Sequence, residues 1–213
     1  MNIPDSVSDN IIQVGRQLYA RGLLAGRDGN LSVRLENGNI AITGAGIPKG
    51  RLTKDDLVSV NDAGQKLDGR RNPSSEMLMH LFAFRSRPDI RACVHAHPPF
   101  ATAFAVAGRS LEPDVLPEVV LFVGEIPLTE YAPPGTDAVP CALAPYIATH
   151  DAFLLRNHGL LTLGRSLEEA YERMETVEHF AHILYLATQL GRVEKIPPAD
   201  FERLEKLRQS LLR

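Results

Sequence analysis

The chain has 213 residues, 44% of them hydrophobic, and a formal net charge of −3. That is enough length for one domain with a proper core, and residues 1–213 read as a single domain. The charge gives no basic field for nucleic acid, and no apolar run approaches a membrane span. The opening Met1-Asn2-Ile3-Pro4-Asp5-Ser6 lacks a basic and an apolar signal-peptide region, and the only cysteines are Cys93 and Cys141. A cytoplasmic protein without a disulfide framework is expected.

In chain order, Val7, Ile11, Val14 and Leu18 fall at helical spacing, and Gly22 follows as a stop. Gly26 to Asn30 is a loop. Leu31 to Leu35 alternates as a strand, and Asn37-Gly38 turns it into a second strand, Ile40-Ala41-Ile42. Leu57 to Val60 is a further strand. Ser74 or Ser75 caps a helix that runs to about Arg87, where Pro88 ends it. Ala92 to His97 is a short apolar strand. Pro98-Pro99 opens a helix from Phe100 to Ala107, closed by Gly108. Val139 to Thr149 is expected to be helical. Asp151 to Asn157 and Leu160 to Gly164 are strands around a tight Asn157-His158-Gly159 bend. Ser166-Leu167-Glu168-Glu169 has the form of a capping box and starts the longest helix, which reaches Gly191. Phe201 to Arg213 is a charged amphipathic tail helix. This order suggests an α/β sandwich around a largely antiparallel mixed sheet.

Chemistry concentrates in a few residues. His95 and His97 are two apart on a strand and so share a face. Two imidazoles on one rigid face make part of a zinc site, although such a pair serves equally as two satisfied polar residues. His158, at a turn between two strands, is the candidate third ligand of a catalytic zinc pattern. His80, His150, His179 and His182 read as structural or exposed.

Ser74-Ser75-Glu76 sits at a helix N-terminus, where free N–H groups and the helix dipole favour an anion. Alone it reads as plain capping. Gly29-Asn30 and Thr43-Gly44-Ala45-Gly46 each pair a glycine with a hydrogen-bonding side chain, and each alone reads as an ordinary turn.

Taken together, Gly29-Asn30-Leu31-Ser32-Val33-Arg34, Ile42-Thr43-Gly44, Pro73-Ser74-Ser75-Glu76, His95-Ala96-His97 and Asn157-His158-Gly159 resemble the class II aldolase/adducin family, and within it the fuculose-1-phosphate aldolase type. The resemblance spans roughly Val7 to Gly191. It implies a three-layer α/β/α sandwich and a divalent metal, usually Zn2+ with Mn2+ or Co2+ as alternatives, held by His95, His97 and His158. It implies Glu76 as catalytic acid/base, and Asn30, Thr43, Gly44, Ser74 and Ser75 as binders of a substrate phosphate. It also implies a homotetramer with active sites at subunit interfaces. The implied reaction is cleavage of a ketose 1-phosphate to dihydroxyacetone phosphate and an aldehyde. Epimerisation, dehydration or decarboxylation of a related phosphate is the runner-up, and a non-catalytic adducin-like scaffold comes after it. The chain departs from the aldolase pattern in two places. Lys49 and Arg51 follow the Thr-Gly loop, where they read as surface charge or as contacts to a different substrate. The tail also lacks a tyrosine, for which Tyr131 is a candidate catalytic substitute, although a packing role fits it better.

Overall fold

The computed structural model describes residues 3–211. The last two residues of the expected tail helix, Leu212 and Arg213, lie outside them. Seven strands form one sheet: β1 (Asn30–Arg34), β2 (Ile40–Thr43), β3 (Leu57–Val60), β4 (Lys66–Asp68), β5 (Ala92–Ala96), β6 (Ala152–Leu155) and β7 (Gly159–Gly164). Their spatial order is β4-β3-β2-β1-β5-β7-β6. Every ladder is antiparallel. The parallel contact among the described residues is a single bridge between Leu128 and Leu154. Among the described residues, seven α-helices complete the fold: α1 (Asp5–Ala20), α2 (Met77–Ser86), α3 (Pro99–Val106), α4 (Pro117–Phe122), α5 (Ala138–Leu143), α6 (Leu167–Leu190) and α7 (Pro198–Leu211).

Strand alternation divides the apolar residues between two cores. Leu31, Val94, Leu154 and Leu160 face one side and pack with Ile11 and Leu18 of α1 and Met174 and Phe180 of α6. Ile42, Val58, Phe153 and Leu161 face the other and pack with Met79 and Phe84 of α2 and Val139 and Leu143 of α5. With both faces covered, the strands read as nearly continuous apolar runs. The result is the expected three-layer α/β/α sandwich.

Several boundaries differ from the sequence reading, each for a local reason. The N-cap of α2 is Glu76, not Ser74 or Ser75. The Ser74 hydroxyl instead accepts from the Glu76 N–H at 3.3 Å, which tightens the turn before the helix. The segment from Val139 to Thr149 keeps helical form only to Leu143 and continues as turns. The capping box of α6 is half formed. Ser166 Oγ accepts from Glu169 N at 3.1 Å, but the Glu169 carboxylate accepts from the N–H of Arg165 and pairs with Arg173. The short α4 and β4 carried no clear sequence pattern. The tail helix α7 lies on α4, where Arg208 donates to Val123 O at 3.0 Å.

Candidate active site

The register of β1 on β5 builds the floor of the site. It sets Asn30 opposite His95 and Ser32 opposite Cys93. Alternation then turns all four side chains to the α2 side of the sheet. Gly29, at φ +70°, lets the preceding loop lie against β5, since a Cβ there would stand 2.5 Å from His95 O. His97 follows the last residue of β5. The β6–β7 hairpin brings in His158 through Asn157, the one non-glycine residue at positive φ among the described residues (55°). Asparagine tolerates this conformation better than most residues. Gly159 is close-packed, since a Cβ would meet Ala96 O and the His97 ring at 2.6 Å.

The three imidazoles converge. Their ring centroids lie 4.7–5.1 Å apart, and one nitrogen from each falls within 4.8 Å of the others. His95 is fully buried, and its Nδ1 lies 2.9 Å from Leu160 O. A carbonyl only accepts, so Nδ1 carries the hydrogen and Nε2 presents a lone pair. That Nε2 faces Glu76 Oε2 at 3.3 Å and His97 Nε2 at 3.2 Å. His158 Nε2 lies 3.0 Å from Glu76 Oε1. Behind His97, Asp28 Oδ2 stands 3.6 Å from Nδ1.

This arrangement tests whether a metal ion fits. A lone pair on His95 Nε2 facing a carboxylate oxygen and a second imidazole nitrogen is repulsive unless a cation or a proton lies between them. A divalent ion satisfies all these acceptors together, and a carbonyl or carboxylate behind a ligand imidazole is the usual second layer of such a site. The residues present therefore fit the group. Burial opposes ionisation of Glu76, but the His95 and His158 imidazoles outweigh it and hold the carboxyl well below the usual carboxylate range. Burial, with His95 and His158 adding to it, pushes His97 down to about 4, so its ring is a neutral donor at neutral pH.

The other sequence-named residues surround this centre. Asn30 is buried and donates through Nδ2 to Glu76 Oε2 at 2.8 Å. Ser74 is buried and Ser75 exposed at the start of α2. Gly44 bridges to Pro73, joining the Thr43–Gly46 turn to the Ser74–Glu76 turn. Within that junction, Thr43 Oγ1 accepts from Leu31 N at 3.2 Å, and the Gly44 N–H donates to Asp56 O at 2.8 Å. Tyr131 is 57% exposed in the single chain. Its loop passes the site, with Gly135 against Ser75 O.

Lys49 departs from the sequence reading, and His80 takes the structural half of its own. Lys49 is not surface charge. It is 3% exposed, and its ammonium donates to Arg27 O and Ile47 O at 2.8 Å each. It thereby ties the loop of residues 26–30 to the turn after Gly46, and burial pushes its pKa down to about 8. His80 is buried and contacts both Ser32 and Asn30. Its spacing four residues after Glu76 on a helix was the signal that could have marked it.

The fold and the histidine–carboxylate cluster define a candidate metal centre at one face of an α/β/α sandwich. Residues 9–185 match the Class II Aldolase and Adducin N-terminal domain, and the chain belongs to the class II aldolase/adducin family. Among relatives, it is 34% identical over 188 residues to the 3-oxo-tetronate 4-phosphate decarboxylase of Escherichia coli O6:H1, covering 86% of this chain and 88% of that one. It is 32% identical over 200 residues to the 5-deoxy-D-ribulose 1-phosphate aldolase of Bacillus thuringiensis, covering 93% of each. A solved L-fuculose 1-phosphate aldolase superposes with a TM-score of 0.88 at 31% identity, covering 96% of each chain.

Proposed function

We propose that this protein is a class II aldolase that cleaves a ketose 1-phosphate of the fuculose-1-phosphate type to dihydroxyacetone phosphate and an aldehyde, acting in the cytoplasm. The observation that carries the reading is the Glu76 carboxylate held between His95 and His158, at 3.3 and 3.0 Å, with His97 beside them.

His95, His97 and His158 would hold one divalent ion, with Zn2+ favoured by an all-imidazole set and Mn2+ or Co2+ as alternatives. When bound, that ion supplies Lewis acidity to the substrate carbonyl. The protein's own residues do the rest. Glu76, ionised at neutral pH, takes up and returns the proton that cleavage moves between substrate atoms. The phosphate is assigned to the junction of the Thr43–Gly46 and Ser74–Glu76 turns. There the exposed Ser75 hydroxyl, Ser74, and the second Nδ2 hydrogen of Asn30 supply donors. Thr43 and Gly44 shape the junction, since the Gly44 N–H is already used. Anchoring the phosphate there orients the carbon chain and supplies binding energy remote from the bond being broken. Tyr131 is proposed as a further hydroxyl at the mouth. The exposed Phe122, Tyr185, Leu186 and Leu190 give apolar area for a homotetramer. A strict monomer by light scattering would remove that part of the reading.

Decarboxylation of a 3-keto acid phosphate is the second reading, supported by the 34% identical decarboxylase. One experiment separates them. Metal-loaded protein is offered ketose 1-phosphates and 3-keto acid 4-phosphates, and dihydroxyacetone phosphate and carbon dioxide are assayed in parallel. Dihydroxyacetone phosphate from the first set supports the aldolase. Carbon dioxide from the second, without it, replaces that reading. A protein that purifies without stoichiometric metal and turns over neither set would be a scaffold.

A further inference from the structure

Behind Glu76 runs a buried polar chain that metal and phosphate binding leave unexplained. Ser32 Oγ lies 2.6 Å from His80 Nδ1. His80 Nε2 contacts Asn30 Oδ1. Asn30 Nδ2 donates to Glu76 Oε2 at 2.8 Å. Glu76 and His80 stand four residues apart at the start of α2 and so share one helix face. That face meets the Asn30 and Ser32 side of β1. His80 is fully buried, beyond reach of substrate.

Donor and acceptor rules give this chain a single direction. An ionised carboxylate only accepts, so Asn30 must turn its NH2 toward Glu76. Its Oδ1 then faces His80, which must supply a hydrogen from Nε2. Burial holds the His80 ring neutral, with its pKa down at about 3. A neutral imidazole has one N–H, so Nδ1 is an acceptor and the Ser32 hydroxyl donates to it. Every link is satisfied in this direction. Reversing the Asn30 amide would set its oxygen against the carboxylate.

We propose that His80 is a positioning residue which, by donating from Nε2 to Asn30 Oδ1, locks the Asn30 amide so that it holds the Glu76 carboxylate in its working orientation. This rests on the reading of Glu76 as the proton-transfer group. A plain packing histidine would fill the same volume with either tautomer.

The test joins a spectroscopic and a kinetic readout. Nitrogen-15 NMR of histidine-labelled, metal-loaded protein should show His80 as a neutral Nε2–H ring from pH 6 to pH 8. An Nδ1–H ring or a cationic one overturns the proposal. His80→Leu should keep its metal stoichiometry and lose turnover on the order of 10²-fold, as expected for a misplaced catalytic group. His80→Gln, whose amide can donate to Asn30, should recover most of that loss. Equal turnover in His80→Leu and the wild type overturns the proposal, as does a His80→Gln variant that folds but is no better than His80→Leu. Should His80→Leu fail to fold, the tautomer and His80→Gln still decide. Glu76→Gln run alongside separates the two levels: an active Glu76→Gln enzyme removes the assignment of Glu76 itself, whatever the His80 tautomer.

Discussion

Asn30 and His95 stand directly opposite one another in the antiparallel register of β1 on β5. The carboxylate that bonds Asn30 is therefore brought to His95, and Glu76 Oε2 touches both, at 2.8 and 3.3 Å. The two side chains that Glu76 touches, Asn30 and His95, are thus held beside each other by the sheet register.

Glu76→Gln keeps the shape at the start of α2 and can still bond Asn30. It cannot accept and return a proton. Turnover should fall on the order of 10²–10⁴-fold, the usual loss for a general acid–base group. Metal content should stay near that of the wild type. Loss of metal in this variant would instead make Glu76 a ligand.

Alanine at His95, His97 or His158 should strip the metal, read as metal per chain after dialysis. Asp28→Ala should act more gently. Its carboxylate stands 3.6 Å from His97 Nδ1, and losing such a backing group costs about 10–100-fold in metal affinity. Affinity measured by competition with a chelator checks this, and an unchanged affinity would show that Asp28 serves only its loop.

Ser75→Ala removes an exposed hydroxyl at the turn junction and should weaken phosphorylated substrate chiefly through KM. Metal content should not move. If the unphosphorylated sugar is processed as well as its phosphate, the junction is not the phosphate site.

Acid stability should report His80. Its pKa lies near 3 in the folded protein and about 6.5 when unfolded. Between these values the unfolded chain binds the extra proton, so this group's contribution is complete above pH 6.5 and declines as pH falls toward 3, by up to about 1.4 kcal/mol per pH unit. Urea midpoints of metal-free wild type and His80→Gln should therefore converge on acidification from pH 6.5 to pH 4. A constant gap would mean that His80 is not the buried neutral base.

The sequence by itself determined the layers and the family, and it named the histidines that converge. Helical spacing over Ile11, Val14 and Leu18, the strand runs around Val33, Val94 and Leu161, and the Asn37-Gly38 turn are local patterns, and local patterns survive without knowledge of partners. His95 and His97 share a face through strand geometry alone. Tertiary structure decided what depends on distant neighbours. Glu76 rather than a serine takes the N-cap position of α2, and the Ser74 hydroxyl accepts from Glu76 N in the turn before it. Lys49 is buried because the carbonyls of Arg27 and Ile47 converge on its ammonium, and a lysine stem carries no mark of that in sequence. His158 meets His95 only because β7 pairs with β5 and the hairpin puts Asn157 in the left-handed region. His80 looked like one more helix histidine until the β1–β5 register set Ser32 and Asn30 beneath it. Hydrogen-bond partners across a sheet are fixed by strand register, and strand register is a property of the folded chain.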